Sequence, residues 1–248
     1  MRQSLGETRS SIGERHALIC PDSHERTTLP GWLGSSIIVL ISPQMGAKFI
    51  EYFVDVAPGA SGQAPAEGIE RFFFVLEGEA KLTLDGKKHD LTVEGYAYLP
   101  ANSAHVVSSE QGARLIIIER NYMPLAGTQA PRAVINNARK LPVTRLKGDE
   151  NLPLQKLLPE ELAFDCEVNI MGFTPGASLH YVETHFMEHG LLMLDGGGVY
   201  RLDKSWYSVS AGDVIWMGPF CPQWFGAIGR QNARYLIYKN WNRTPFES

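Results

Sequence analysis

Three side chains that commonly bind metals lie within seven residues of one another in the second half of the chain. The segment ETHFMEHG at 183–190 carries Glu183, His185 and His189. Residues two apart on a strand share a face, so Glu183 and His185 can project together, and His189 can join them if the chain turns between. Two imidazoles and a carboxylate are a common ligand set for a divalent ion that keeps positions open for water or substrate. The spacing therefore predicts a divalent metal site.

The arrangement resembles the two motifs of the cupin superfamily. In the first motif, ligands two residues apart are followed by a further ligand and then by a glycine, and here six residues separate His189 from Gly196. The second motif begins with a Gly-Asp turn and contains a proline. Gly212-Asp213 begins it in this chain, and the fourth ligand position falls on Gln223. An amide oxygen is acceptable to Mn²⁺ or Mg²⁺, so the resemblance implies that Gln223 completes the ligand set.

The elements that must position these residues form an internal repeat. Three pairs of segments recur in the same order: VAPGAS at 56–61 with FTPGAS at 173–178, LEGEAKLTLDGKKHDLTVEGYAYLP at 76–100 with LDGGGVYRLDKSWYSVSAGDVIWMG at 194–218, and ARLIIIER at 113–120 with ARYLIYKN at 233–240. The offsets are 117, 118 and 120 residues. Such nearly constant spacing indicates duplication of one fold.

Each half is predicted to consist of short strands, because runs of β-branched and aromatic residues alternate with turn signals such as Asp85-Gly86. The predicted strands are 72–76, 80–84, 96–99 and 114–119 in the first half and 191–194, 198–202, 214–217 and 235–238 in the second. Many short strands with Gly-rich turns favour jelly rolls over alternating βα units. We therefore predict an all-β bicupin of two tandem double-stranded β-helix (jelly-roll) barrels, with residues 1–135 forming the first barrel with an N-terminal arm and residues 136–248 forming the barrel that carries the metal and active site.

The first barrel is predicted to have lost its metal site. When the halves are aligned on their turn glycines, the three ligand positions of the first motif are filled by Pro65, Glu67 and Arg71. A proline and a guanidinium cannot ligate a cation. His105, at the position that matches Gln223, does not suffice alone. We expect this barrel to be structural or to supply a dimer surface.

Composition limits the classes of partner. A net charge of −4 and 20% charged residues give no basic surface for nucleic acid, so a small-molecule partner is expected. The three cysteines are far apart, which argues against a disulfide framework and is compatible with a reducing compartment. No apolar run resembles a signal peptide or a membrane span. We expect a cytoplasmic homo-oligomer without nucleic-acid or membrane partners.

Beyond the superfamily, the chain resembles the (S)-ureidoglycine aminohydrolase family of purine catabolism, formerly described as glyoxylate-induced bicupins. The likeness covers nearly the whole chain, including GIERFFFVLEGEA at 68–80 and RNYMPL at 120–125, and is strongest at 157–218. It implies release of ammonia from (S)-ureidoglycine to give (S)-ureidoglycolate in allantoin degradation. The implied cofactor is Mn²⁺, with other divalent ions as alternatives.

The same resemblance implies the roles of individual residues. The implied metal ligands are Glu183, His185, His189 and Gln223. Residues expected to bind substrate are Glu183, Gln223, Tyr200, Tyr235 and Lys239, and those expected to act in catalysis are Glu183, Lys239 and Tyr235. Lys239 would pair with the substrate carboxylate, and the tyrosines would orient the ureido or carboxylate oxygens. We add the hypothesis that Glu183 accepts a proton if its coordination is weak or if substrate displaces it. From the residues alone, both tyrosines could instead fill the barrel, and Lys239 could be a solvated charge at a strand end.

Two other functions stay open from the residues alone. A metal-dependent cupin oxygenase would normally hold iron with more histidines than this site offers. A ligand-binding bicupin without enzymatic activity would have no need of a polar, open metal site. The identity of the bound metal, oxygen dependence and turnover would separate these alternatives.

Overall fold

The computed structural model describes residues 8–240, 242 and 243, and nearly all of the regular structure in them is β-strand. The strands are β1 Ser11–Ile12, β2 His16–Ile19, β3 Trp32–Ile41, β4 Ile50–Gln63, β5 Ile69–Gly78, β6 Ala80–Leu84, β7 Lys87–Leu91, β8 Gly95–Leu99, β9 His105–Ser108, β10 Ala113–Asn121, β11 Val134–Asn137, β12 Thr144–Arg145, β13 Pro153–Lys156, β14 Glu167–Phe173, β15 His189–Asp195, β16 Gly197–Leu202, β17 Ser205–Ser210, β18 Val214–Met217, β19 Gln223–Ala227 and β20 Ala233–Lys239. Single 3₁₀ turns lie at Pro21–Ser23, Pro43–Met45, Ala138–Lys140 and Leu146–Gly148. Among the described residues, no helix has the length and apolar character needed to cross a membrane.

The eight strands predicted from the sequence all lie within observed strands, and the all-β prediction is confirmed. β5, β6, β8 and β10 cover the four predicted in the first half, while β15, β16, β18 and β20 cover those in the second. Runs of β-branched and aromatic residues between turn signals therefore located eight of the twenty strands in the described residues.

The chain divides into two compact units. The first unit contains Glu25–Leu141 and Leu158–Asp165, and the second contains residues 8–24, Pro142–Leu157 and Cys166–Asn242. This division differs from the predicted one, which ended the first barrel at residue 135 and assigned the N-terminal arm to it. The arm belongs to the second unit because β2 pairs antiparallel with β18. Pairing between strands almost 200 residues apart leaves no signal in the local sequence.

The first unit is one curved sheet with the strand order β11-β8-β5-β10-β4-β9-β6-β7, and β3 pairs with β4. The long strand β4 pairs with β10 over its first half and with β9 at its end, so it joins the two sides of the barrel. Alternate side chains of the strands face the interior. They include Tyr52, Val54, Phe73, Leu99 and Ile117.

The second unit has two sheets, β1-β2-β18-β15-β20-β14-β13-β12 and β17-β16-β19. Its core contains buried side chains from both, among them Phe173, Leu191, Tyr200, Phe225 and Tyr235. Three strands bring polar residues to one region of this unit. β15 begins at His189, β19 begins at Gln223, and β20 ends at Lys239.

The turn glycines that align the two halves have the same backbone conformation. Gly78 has φ +71° and Gly196 has φ +66°, a region that residues with a Cβ atom rarely adopt. A Cβ atom on Gly196 would lie 2.5 Å from the carbonyl oxygen of Asn232, and one on Gly78 would collide with the carbonyl of Gly112. The duplication therefore preserved a close approach of two backbones as well as the sequence pattern.

Candidate metal and substrate site

His189 occupies the first position of β15, between β18 and β20. Its cross-strand neighbours are Met217 and Lys239, and its imidazole is 2% exposed. The Nδ1 atom lies 3.3 Å from the carbonyl oxygen of Tyr238, which places the proton on Nδ1. The lone pair of Nε2 is therefore directed toward the neighbouring imidazole of His185.

His185 and Gln223 meet His189 at this point. The two Nε2 atoms of the histidines are 3.2 Å apart, and the side-chain amide nitrogen of Gln223 lies 2.8 Å from Nε2 of His185. The backbone fixes this arrangement. Glu183 and Gln223 exchange two hydrogen bonds of 2.8 and 2.9 Å, and the carbonyl of His185 accepts one of 2.7 Å from Phe220. The segment before β15 is thus held beside β19.

The geometry and chemistry of these donors fit a divalent metal ion. Two neighbouring ligands, each ~2.1 Å from one ion and at right angles, lie ~3 Å apart, which is close to the spacing of His185, His189 and Gln223. A half-turn of the Gln223 amide presents its oxygen in place of its nitrogen. The three side chains can therefore hold one ion together without a change in the backbone.

The carboxylate of Glu183 lies at the rim of this cluster. In the described part of the chain, Glu183, His185 and His189 do not form a group whose ligand atoms all lie within 4.8 Å of one another. One oxygen of Glu183 is instead 3.7 Å from the ammonium of Lys147. The structure thus brings three of the four predicted ligands together, and ligation by Glu183 requires its side chain to turn inward.

Burial keeps both imidazoles neutral. It lowers the pKa of His185, although the charge of Glu183 acts in the opposite direction. It also lowers the pKa of His189 well below its ordinary value, and the charges of His185 and Lys239 act in the same direction. Neutral imidazole is the form that binds a metal ion.

The residues predicted to contact substrate lie in the same barrel. Lys239 is the cross-strand neighbour of both His189 and Glu167, and its ammonium lies 3.1 Å from the carboxylate of Glu167. Tyr200 and Tyr235 are fully buried, and the hydroxyl of Tyr235 donates to the sulfur of Met171 over 3.4 Å. Burial raises the pKa of both tyrosines, so each retains its proton as a donor near neutral pH.

The equivalent place in the first barrel holds a guanidinium. Arg71 is the cross-strand neighbour of Glu119, as His189 is of Lys239. Its Nε lies 2.6 Å from Glu119, and one of its terminal nitrogens is 3.0 Å from Nε2 of His105. Burial, together with the charge of Arg71, lowers the pKa of His105 to about 4. Arg71 and Glu119 also line a cavity of about 550 Å³. The loss of the metal site in the first barrel stays a prediction.

Two charged residues that contact motif residues of this barrel have no counterpart in the sequence predictions. Lys147 reaches Glu183 from the connection between the barrels, 36 residues upstream. Arg9, in the N-terminal arm, binds both carboxylate oxygens of Asp213 at 2.8 and 2.9 Å, and so holds the Gly-Asp turn of the second motif. Neither residue has a distinctive spacing. The one sequence feature that could have drawn attention to Lys147 is the concentration of charged residues around it in a proline-rich connection.

Comparison with known proteins defines the family. A cupin domain model matches residues 52–119. A protein of Oryza sativa subsp. japonica named probable (S)-ureidoglycine aminohydrolase is 44% identical over 241 residues, which are 97% of this chain and 77% of the relative. The (S)-ureidoglycine aminohydrolase of Arabidopsis thaliana is 42% identical over 241 residues, with 97% of this chain and 80% of the relative covered. The crystal structure of protein Ylba from E. coli is similar with a TM-score of 0.86 and 32% identity, over 96% of each chain. The chain therefore belongs to the (S)-ureidoglycine aminohydrolase family of cupin proteins, which are hydrolases that act on a C–N bond.

Proposed function

We propose that this protein hydrolyses (S)-ureidoglycine to (S)-ureidoglycolate and ammonia, and that Mn²⁺ bound by Glu183, His185, His189 and Gln223 assists the reaction. The observation that carries the proposal is the position of His189 and Gln223 in the second barrel, at 3.2 and 2.8 Å from Nε2 of His185. The names of the relatives support the choice of substrate.

The reaction exchanges an amino group for a hydroxyl group at one carbon atom. The bond between that carbon and the amino nitrogen breaks, the oxygen of water bonds to the carbon, and a proton from water leaves with the nitrogen as ammonia. A divalent ion, when bound, supplies a Lewis acid for the substrate and for the attacking water. The protein must therefore bind a small anion, orient it and transfer one proton.

The residues around the imidazole cluster suit these tasks. When substrate displaces Glu183 from the metal ion, the Glu183 carboxylate can accept the proton from water and pass it to the leaving nitrogen. Lys239 offers an ammonium to the substrate carboxylate in exchange for its contact with Glu167. Tyr200 and Tyr235 line the barrel as protonated hydroxyl donors for the ureido or carboxylate oxygens.

The test is ammonia release from freshly generated (S)-ureidoglycine, with Mn²⁺ added or removed by chelation. We expect release well above the spontaneous rate, dependent on the metal and lost in His185→Ala. The matched control is His89→Ala, which removes an imidazole from a strand of the first barrel and should retain full activity. A wild-type protein that binds Mn²⁺ without accelerating ammonia release would refute the substrate.

The same preparation distinguishes the alternative functions. Oxygen consumption with bound iron would favour an oxygenase. Binding of small molecules without turnover would favour a barrel that only binds. The role of Glu183 has its own test, because full activity in Glu183→Gln would exclude it as the proton acceptor.

A further inference from the structure

Lys147 lies on an unusual turn in the connection between the barrels. It occupies the centre of the 3₁₀ turn Leu146–Gly148 with φ +51° and ψ +27°, a left-handed conformation that is costly for a residue with a side chain. The neighbouring backbone closes the turn, since Leu146 and Leu152 are joined by a hydrogen bond of 2.9 Å. Such conformations persist only where the surroundings hold them.

Two contacts hold this turn against the chain that leads to the metal ligands. Asp149 accepts a hydrogen bond of 2.9 Å from the imidazole of His180. Asn151 bonds to Thr174 through both its backbone carbonyl, at 3.1 Å, and its side-chain oxygen, at 3.0 Å. The turn that carries Lys147 is therefore fixed relative to the segment that carries Glu183.

The ammonium of Lys147 is aimed at the rim of the imidazole cluster. It donates to the hydroxyl of Tyr181 over 2.6 Å, lies 4.4 Å from the centre of that ring, and is 3.7 Å from Glu183. The side chains of Lys147 and Glu183 are 46% and 29% exposed. The pair is thus open to solvent on one side, where a small solute can reach it.

Glu183 cannot satisfy Lys147 and complete the ligand set in the same position. Its carboxylate is not within 4.8 Å of both imidazoles, so ligation requires it to turn away from the ammonium. Lys147 would then keep its bond to Tyr181 but lose its anionic neighbour. Lys239, the other cation proposed to bind substrate, has its own anionic neighbour in Glu167 at 3.1 Å, which it exchanges for the substrate.

We propose that Lys147 is a positioning residue that links metal loading to substrate binding. It holds the carboxylate of Glu183 outside the imidazole cluster, and once Glu183 has turned to the metal ion, the freed ammonium joins Lys239 in binding the carboxylate group of the substrate. The inference rests on the proposed function for the identity of the substrate, but its first half concerns only the metal ion and Glu183.

The first half is tested by Mn²⁺ affinity without substrate, measured from the electron paramagnetic resonance signal of free Mn²⁺. Lys147→Met should bind Mn²⁺ about 2- to 5-fold more tightly, because an exposed ion pair no longer competes for Glu183. Lys147→Arg should remain near wild type. The control is Arg145→Met, which removes a cation of the same connection that pairs with Glu150 at 3.1 Å and should leave the affinity unchanged.

The second half is tested by steady-state kinetics at saturating Mn²⁺. Lys147→Met should raise KM about 10-fold through the loss of a charge-assisted hydrogen bond, with kcat changed less than about 2-fold, and Lys147→Arg should restore KM at least in part. An unchanged Mn²⁺ affinity and an unchanged KM in Lys147→Met would overturn the proposal. Equal changes of Mn²⁺ affinity and KM in Arg145→Met would also overturn the proposal, because they would show that the loss of any nearby positive charge has this effect.

Failure of the proposed function has a different signature. If wild type binds Mn²⁺ and Lys147→Met tightens that binding, but no ammonia is released from (S)-ureidoglycine, then the link between Lys147 and Glu183 is supported and the substrate assignment fails. If wild type is active and Lys147→Met has a wild-type KM, then the substrate assignment is supported. The binding of the substrate carboxylate by Lys147 is refuted in that case.

Discussion

Glu51 is a carboxyl group that the first unit buries without a partner. It lies in β4 with 1% exposure, and neither of its oxygens has a hydrogen-bond partner among the described residues. Burial raises the pKa of this group from 4.5 to about 8, because an ionised carboxylate loses its hydration there. The folded protein therefore keeps Glu51 protonated at a pH where the unfolded chain ionises it.

The sign and size of the effect follow from proton linkage. Between pH 4.5 and 8 the unfolded state binds fewer protons at this position than the folded state, so the free energy of unfolding falls as the pH rises. One pKa unit corresponds to about 1.4 kcal/mol. Glu51 thus lowers the free energy of unfolding by about 1 kcal/mol at pH 5, about 3 kcal/mol at pH 7 and about 4 kcal/mol at pH 8.

The Glu51→Gln variant removes the ionisation and nearly preserves the shape. We expect its advantage in unfolding free energy over wild type to grow by about 3 kcal/mol from pH 5 to pH 8, as measured by urea unfolding followed by circular dichroism at constant ionic strength. Glu77→Gln, an exposed carboxylate of the same unit, is the control and should show little pH-dependent difference. A difference between Glu51→Gln and wild type that is constant across this range would contradict a raised pKa for Glu51 in the folded protein.

Three further perturbations test the second barrel. Arg9→Met should lower the unfolding free energy, measured in urea, by about 1–3 kcal/mol, since it leaves the fully buried Asp213 without its bidentate partner. An unchanged value would show that Arg9 of the N-terminal arm does not stabilise this barrel. Gly196→Ala should cost about 2–4 kcal/mol by the same measurement, because its φ is positive and its Cβ would meet the Asn232 carbonyl. Saturating Mn²⁺ should raise the melting temperature of wild type, with ~2.7 kcal/mol of stabilisation at 100 times Kd, but not that of His189→Ala; equal rises in both would place the ion elsewhere.

The sequence was a good guide to whatever depends on local pattern. Runs of β-branched and aromatic residues between turn signals located eight strands, and three recurring segments located the duplication. Gly78 recurs as Gly196 because a positive φ and a close backbone approach demand glycine in both halves. Motif spacing also predicted the convergence of His185, His189 and Gln223, since strand register turns spacing along the chain into proximity in the barrel.

The features that the sequence did not reveal depend on distant contacts. The pairing of β2 with β18 and the ion pair of Arg9 with Asp213 join residues about 200 positions apart, and neither strand nor charge specifies its partner locally. The Glu183 carboxylate likewise lies 3.7 Å from the ammonium of Lys147, which a different segment supplies. A motif predicts which backbone position faces the site, but the direction of a half-exposed side chain depends on which charges lie nearby.

The two barrels show how one register can support different chemistry. In the second barrel, His189 of β15 is the cross-strand neighbour of Lys239 of β20. In the first barrel, Arg71 of β5 is the cross-strand neighbour of Glu119 of β10. In the second, neutral imidazoles leave lone pairs directed at a common point, and the neighbouring cation is paired with Glu167. In the first, the guanidinium supplies only donors, and its bonds to Glu119 and His105 occupy the equivalent place. A metal ion there would have to displace a buried ion pair as well as find new ligands. The predicted loss of the metal site in the first barrel would therefore be a change of the whole polar cluster rather than of one ligand.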